Sequence, residues 1–293
     1  MDFTTMTELL ACCHREQKSI ADIMLDVEQQ KSGRSRETII EMMTERLIKM
    51  KRAVDQGVAD PSSAPSGISG GDAYRMKAYL EKGDFLSGAI IADSMRFAFA
   101  TSETNARMGV IVATPTAGSA GILPGVLFSL HENANIPYDE LVKGLFTASA
   151  IGYVIANRAF ISGAAGGCQA EIGSATAMAA AAIVELKKGT PEQAVQAAAI
   201  ALKSLLGLVC DPVAGLVEVP CIKRNVIGTS IAISSADIAL AGIESRIPCD
   251  EVVGAMYEIG KSMPRALRET ALGGLAATPT GKQIQKRVMG AEM

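Results

Sequence analysis

Three of the six cysteines stand where a thiol has little packing value. Cys168 follows the run SGAAGG, Cys210 opens CDPVAG, and Cys221 closes VEVPC. Each sits at a break marked by Gly or Pro, where backbone N–H groups are not committed to a helix ladder and can point at a sulfur. The spacing, 42 residues from Cys168 to Cys210 and 11 from Cys210 to Cys221, is no ferredoxin-type run. By themselves these residues leave two readings open: thiols that pack, or a shared metal site. The chemistry of the second is specific. Three thiolates can hold three corners of a [4Fe–4S] cube and leave the fourth iron without a protein ligand. Such an iron is a Lewis acid able to take a hydroxyl and a carboxylate. Cys12, Cys13 and Cys249 lie in helix-like or helix-start sequence and read as small apolar core residues.

Other chemistries find less support. His14 and His131 are the two histidines, and neither stands in a HExxH or Cys-x-x-Cys pattern, so zinc is disfavoured; His131 reads as a surface or helix-end residue. ATPTGKQ near the C-terminus resembles a phosphate loop weakly: Ala276 replaces the required first glycine, and no Ser or Thr follows Lys282. TAGSAG, residues 116 to 121, is not the dinucleotide fingerprint. A pyridoxal phosphate enzyme needs a Schiff-base lysine and a phosphate loop, and Lys203, within the helix that begins at Thr190, fits poorly.

The elements that must position these groups are mostly helical. The chain has 293 residues, 48% of them hydrophobic, with a mean hydropathy of +0.24, enough for one large core or two modest ones. Ile39, Met43, Leu47, Met50 and Val54 recur at spacings of three and four over residues 36 to 56, ending at Gly57. Thr190-Pro191-Glu192-Gln193 supplies an N-cap, a proline at the first helical position and a capping-box Gln ahead of AVQAAAIALKSLLG. Further helices are predicted over residues 74 to 82, 86 to 100, 138 to 160, 171 to 188, 226 to 241 and 249 to 260. Alanine occupies nearly every face of them, so helices can approach closely. Val110-Ile111-Val112 and Leu216-Val217-Glu218-Val219 read as extended loop pieces rather than a sheet, and DPSSAPSGISGGDA, residues 60 to 73, as a linker or a long ordered loop. The expected class is all-α: a compact, alanine-rich, multi-helix domain with Gly/Pro-rich loops carrying the site, organised as N-terminal helices 1–58, a loop 59–73 and a helical core 74–280.

A formal net charge of -3 offers no basic excess for nucleic acid. The Ala/Gly run of residues 145 to 184 is broken by Asn157, Arg158, Gln169 and Glu171, so no membrane span is expected. MDFTTMTELLACCHREQ lacks a cationic start before an apolar stretch, so the expected address is cytoplasmic. There the six thiols would stay reduced.

Four stretches, TSETNARMGVIVATPTAGSAGILPG (101 to 125), AGGCQAEIGSA (164 to 174), GLVCDPVAGLVEVPCIKRN (207 to 225) and ALRETALGGLA (266 to 276), closely resemble the α subunit of bacterial iron–sulfur-dependent L-serine dehydratases, over roughly residues 70 to 280. The resemblance implies that Cys168, Cys210 and Cys221 bind a [4Fe–4S] cluster and that the PT-x-G-x-AG loop lines the serine pocket. Thr116, Ala117 and Gly118 become substrate-contact candidates, with Asn105 and Ser119 beside them, against the bland reading of a tight turn. Arg224 and Asn225, just after the third cysteine, become groups behind the ligands or a carboxylate clamp.

Two departures matter. Single-chain relatives carry Asn where this sequence has Ala117, so a side-chain contact there must pass to backbone or water. They also end in a cysteine able to cap the open iron, whereas this chain ends GAEM, which implies a corner left to water or substrate. The resemblance further implies a catalytic histidine base on a separate β subunit, because residues 1 to 70 hold nothing like its Ser-rich His motif. The expected activity is L-serine to pyruvate and ammonia in an αβ hetero-oligomer. The rivals are L-cysteine desulfhydration by similar cluster chemistry and a non-catalytic helical scaffold.

Overall fold

The computed structural model describes residues 2 to 290; the sequence end that lacks a capping cysteine lies outside the described residues. Thirteen α-helices are described: α1 (Met6–Glu16), α2 (Ile20–Ser32), α3 (Arg36–Ala59), α4 (Asp72–Leu80), α5 (Ala89–Ala106), α6 (Ile122–Ala134), α7 (Tyr138–Arg158), α8 (Gly163–Gly166), α9 (Ser174–Leu186), α10 (Pro191–Lys203), α11 (Cys221–Leu240), α12 (Cys249–Ser262) and α13 (Pro279–Met289). Among the described residues there is no strand, only one isolated bridge between Cys210 and Arg268, so the all-α expectation holds. No described helix is long and apolar enough to cross a membrane.

α9 lies at the centre, packed by α6, α7, α10 and α11. Ala179, Ala180, Ala181 and Ala182 are all at 0% exposure, because methyl side chains let four helices close on one. α5 lies between α3, α6 and α11. The α3–α5 crossing depends on Gly57: a β-carbon there would stand 2.1 Å from the Ala100 carbonyl oxygen, which is backbone and cannot swing aside. Gly57→Ala is expected to force the helices apart and destabilise the fold by about 1–3 kcal/mol, the usual range for overpacking. Thermal unfolding would show it as a lowered midpoint, and an unchanged midpoint would mean the crossing is looser than described.

The capping signal at Thr190 is realised as read: Thr190 and Gln193 form the capping box of α10. Thr5 and Glu8 form a further one at α1, not read from the sequence. α1 is anchored by the Asp250 carboxylate, which accepts from the Met6 N–H at 2.9 Å and the Thr7 N–H at 3.1 Å.

Several boundaries differ from expectation. Residues 60 to 73 form an ordered loop: Ala64 N–H donates to Ser69 O at 2.8 Å, and Ser66 and Ser69 both donate to the buried Glu218 carboxylate. α5 runs on to Ala106, because Glu103 is fully buried and accepts from the Asp72 and Ala73 N–H groups at the start of α4. α6 was not foreseen. Its run ILPGVLFSL is buried throughout and shows no amphipathic period, while Pro124 looks like a breaker; within the first turn of a helix its missing N–H costs nothing. The predicted 171–188 helix begins as a π turn over Gln169–Gly173 before α9, and the predicted 226–241 helix begins five residues earlier, at Cys221.

Candidate active site

Cys168 is set by the turn that precedes it. Gly167 has φ +79, and a β-carbon there would meet the Met263 thioether sulfur at 2.6 Å and the Leu208 carbonyl oxygen at 3.0 Å, so glycine is required. Gln169, at 0% exposure, staples the turn in place: its Nε2 donates to Gly166 O and Met256 O, each at 3.0 Å, and its Oε1 accepts from Gly207 N–H at 2.9 Å. The π turn that follows is a costly deviation found mostly at functional positions. It carries Glu171.

Cys210 is held by its backbone on the segment 265–269: its N–H donates to Leu267 O and its carbonyl accepts from Glu269 N–H, both at 2.8 Å. Gly163 makes room for the thiol, since a β-carbon there would sit 2.6 Å from the Cys210 Sγ. Cys221 is the first residue of α11. All three cysteines are buried free thiols. The ligand atoms of Cys168, Glu171 and Cys210 lie within 4.8 Å of one another; Cys221 stands outside that close group but near enough for the Cys168 charge to raise its thiol and for its own charge to act on Cys210.

The electrostatics are uneven. A hydrogen bond from Cys210 pulls the Cys168 thiol below its usual range against the cost of burial, and the Arg224 guanidinium adds to the pull. The same hydrogen bond, with burial, pushes Cys210 up; burial pushes Cys221 up. Burial likewise raises the Glu171 carboxyl, which accepts a hydrogen bond from Thr116 Oγ1.

Arg224 works behind the cysteines. It donates to Val209 O and to Asp211 Oδ1, both at 2.8 Å, on either side of Cys210. Asp211 Oδ2 accepts in turn from Leu275 N–H at 2.7 Å, and Gly274, with φ +56, leaves the carboxylate its space. The guanidinium is therefore already engaged on the protein's own groups. Asn225, at 2% exposure, ties two pieces together: its Nδ2 donates to Gly118 O at 2.7 Å and Cys221 O at 2.9 Å, and its Oδ1 accepts from Gly121 N–H at 3.0 Å.

The loop thus clamped holds the remaining sequence candidates. Thr116 is half-buried against Glu171, Ala117 is exposed, and Gly118 is buried with no room for a β-carbon, which would meet the Glu171 carboxylate at 2.7 Å. Ser119 is buried and its hydroxyl turns inward to Thr114 O at 3.0 Å. Asn105 lies in the last turn of α5, its side chain without a hydrogen-bond partner among the described residues.

The structure therefore gathers Cys168, Cys210, Cys221, Thr116, Gly118, Arg224 and Asn225 around one locus. Glu171 and Glu269 belong to it too and were not singled out from sequence. A signal for Glu171 existed: an acid three residues after Cys168, at the head of an otherwise apolar run. The histidines are engaged elsewhere, His14 with Glu192 at 2.6 Å and His131 Nδ1 with Ile136 O at 2.8 Å. Lys203 is also committed, donating to Ser245 O at 2.7 Å.

Comparison with known proteins points one way. Residues 15–276 match the family model described as serine dehydratase alpha chain, which takes in the N-terminal helices beyond the 70–280 stretch carrying the motifs. A probable L-serine dehydratase alpha chain from Bacillus subtilis is 54% identical over 288 residues, covering 98% of this chain and 96% of the relative. The L-serine dehydratase alpha chain of Peptoniphilus asaccharolyticus is 45% identical over 282 residues, covering 96% and 97%. An L-serine dehydratase of Helicobacter pylori is 37% identical over 291 residues, covering 94% of this chain but 62% of the longer relative.

Proposed function

The chain belongs to the serine dehydratase alpha chain family, and from that premise we propose that it is the α subunit of an L-serine dehydratase, an ammonia-lyase that converts L-serine to pyruvate and ammonia. The observation that carries the reading is the convergence of the buried Cys168 and Cys210 with Glu171 beside the 116–119 loop, with the Cys221 thiol within electrostatic reach.

The donor set fits an iron–sulfur group. Soft thiolates select such clusters, and the chain has cleared space for one of these sulfurs by placing glycine at position 163. Cys168, Cys210 and Cys221 would hold a [4Fe–4S] cluster by three corners. When bound, it supplies a Lewis-acidic iron without a protein thiolate, suited to a substrate hydroxyl and carboxylate.

The chain's own residues do the positioning. Thr116, Ala117 and Gly118 present hydroxyl and backbone groups to serine. Asn225 holds this loop at a constant place relative to Cys221, and Arg224 offsets the charge of the Cys168 thiolate while locking the Cys210 loop. Glu171, whose carboxyl burial pushes up, accepts the Thr116 hydroxyl and secures it. Serine must also lose its Cα proton, and with both histidines engaged elsewhere the base comes from a β partner. The alpha-chain names of the relatives and the extra length of the Helicobacter pylori protein support that division of labour. Six free thiols fit the reducing cytoplasm as the site of action.

The test is anaerobic purification of the chain with its β partner, followed by iron and acid-labile sulfide assays and by pyruvate formation from L-serine, with L-cysteine as the comparison substrate. Iron and sulfide in stoichiometric amount, oxygen-labile turnover and preference for serine are expected. Serine deamination by the fully iron-free pair would overturn the reading.

A further inference from the structure

A cavity of about 320 Å³ opens between α2, α3 and α7, and its lining includes residues 112–115, which lead into the 116–119 loop. Five flexible thioethers line it, Met24, Met42, Met43, Met50 and Met178, which adapt to aliphatic groups of varied shape. Two opposite charges line the same cavity, Glu28 from α2 and Arg46 from α3. They form no ion pair with each other, and among the described residues neither the carboxylate nor the guanidinium has an ionic partner; Arg46 donates only to the Met42 carbonyl, at 3.2 Å. Thr114, 8% exposed, lines the wall, and its Oγ1 has no hydrogen-bond partner.

We propose that this cavity is a regulatory site for a free aliphatic α-amino acid of leucine or methionine size. The carboxylate meets Arg46, the ammonium meets Glu28, and the side chain lies among the methionines, with Thr114 completing the polar contacts. An anion alone, a cation alone or a hydrocarbon would leave one part of this arrangement unused. Thr114 is the link to the reaction: its N–H donates to Thr116 O at 3.1 Å and its carbonyl accepts from Ser119 Oγ at 3.0 Å, so an occupant that holds Thr114 also steadies the serine loop. The coupling rests on the dehydratase reading; the binding does not.

Isothermal titration of the full chain, alone and paired with its β partner, with L-leucine, L-leucinamide and 4-methylpentanoate separates the possibilities. Leucine should bind both forms, and each of the other two, lacking one charge of the zwitterion, should bind at least about tenfold more weakly. Arg46→Met and Glu28→Gln should weaken leucine by a similar factor while keeping the wild-type melting curve and the basal serine turnover. In the active pair, leucine should lower the serine KM about fivefold with kcat unchanged, an effect absent from both variants. Absence of leucine binding, equal binding of all three probes, or binding by the lone chain that vanishes in the complex would each overturn the site. Binding without a KM change would overturn the coupling, and an inactive preparation leaves the titration fully readable.

Discussion

Cys210→Ser is expected to abolish serine turnover while leaving the helical body folded. The residue's backbone is held on both sides by segment 265–269, and these bonds do not involve the side chain. Oxygen for sulfur is a near-isosteric change in a site that Gly163 already leaves open. What changes is the donor: a serine hydroxyl is a hard ligand that stays protonated, where a cluster needs a soft thiolate. Removing Lewis-acid stabilisation worth several kcal/mol should reduce turnover by about 10³-fold or more. Iron and sulfide content should fall with it, and far-UV circular dichroism should not change. Cys249→Ser supplies the contrast. That thiol is buried at the start of α12 and pushed up to about 12 by burial, so its loss should lower stability without touching iron content. Full iron and full activity in Cys210→Ser would remove it from the ligand set.

Asn225→Asp should cost both stability and rate. The amide gives two donors to Gly118 O and Cys221 O and one acceptor to Gly121 N–H, at 2% exposure. An aspartate of the same shape keeps the acceptor and sets a carboxylate against two carbonyls. The loss should be about 2–4 kcal/mol, because a buried group is left both repelled and unpaired. Its sign with pH follows from the same burial. The folded-state pKa of this aspartate would be raised above its unfolded value, so the variant is most stable at low pH and weakens as pH rises through the folded value. Thermal unfolding at pH 5.5 and pH 8 should show a gap between variant and wild type that widens at the higher pH. Turnover should fall about 10–100-fold, the range for groups that orient metal ligands from behind, with iron retained. A pH-independent gap would mean that the amide's donors are not what holds the loop.

Much of this was written locally in the chain. Spacings of three and four along residues 36 to 56, the Thr190 to Gln193 cap and the alanine content suffice to specify helices, because caps and periodicity act within a few residues. The cysteines stood out through their Gly and Pro neighbours, and the motifs around them carried the family. α6 was obscured because a helix buried on every side has no polar face to give it a period. Arg224 could be placed near the cysteines but not given its task, since Val209 O and Asp211 are partners 15 and 13 residues away, across a turn.

By itself the sequence determined the helical class, the kinds of donor atom available and the family. Tertiary structure alone decided that Cys168 and Cys210, 42 residues apart, come together with Glu171, and that Asn225 ties the 116–119 loop to the backbone of Cys221. The reason is range: helix signals are satisfied by neighbours one turn away, whereas a site is assembled by packing that brings distant segments together.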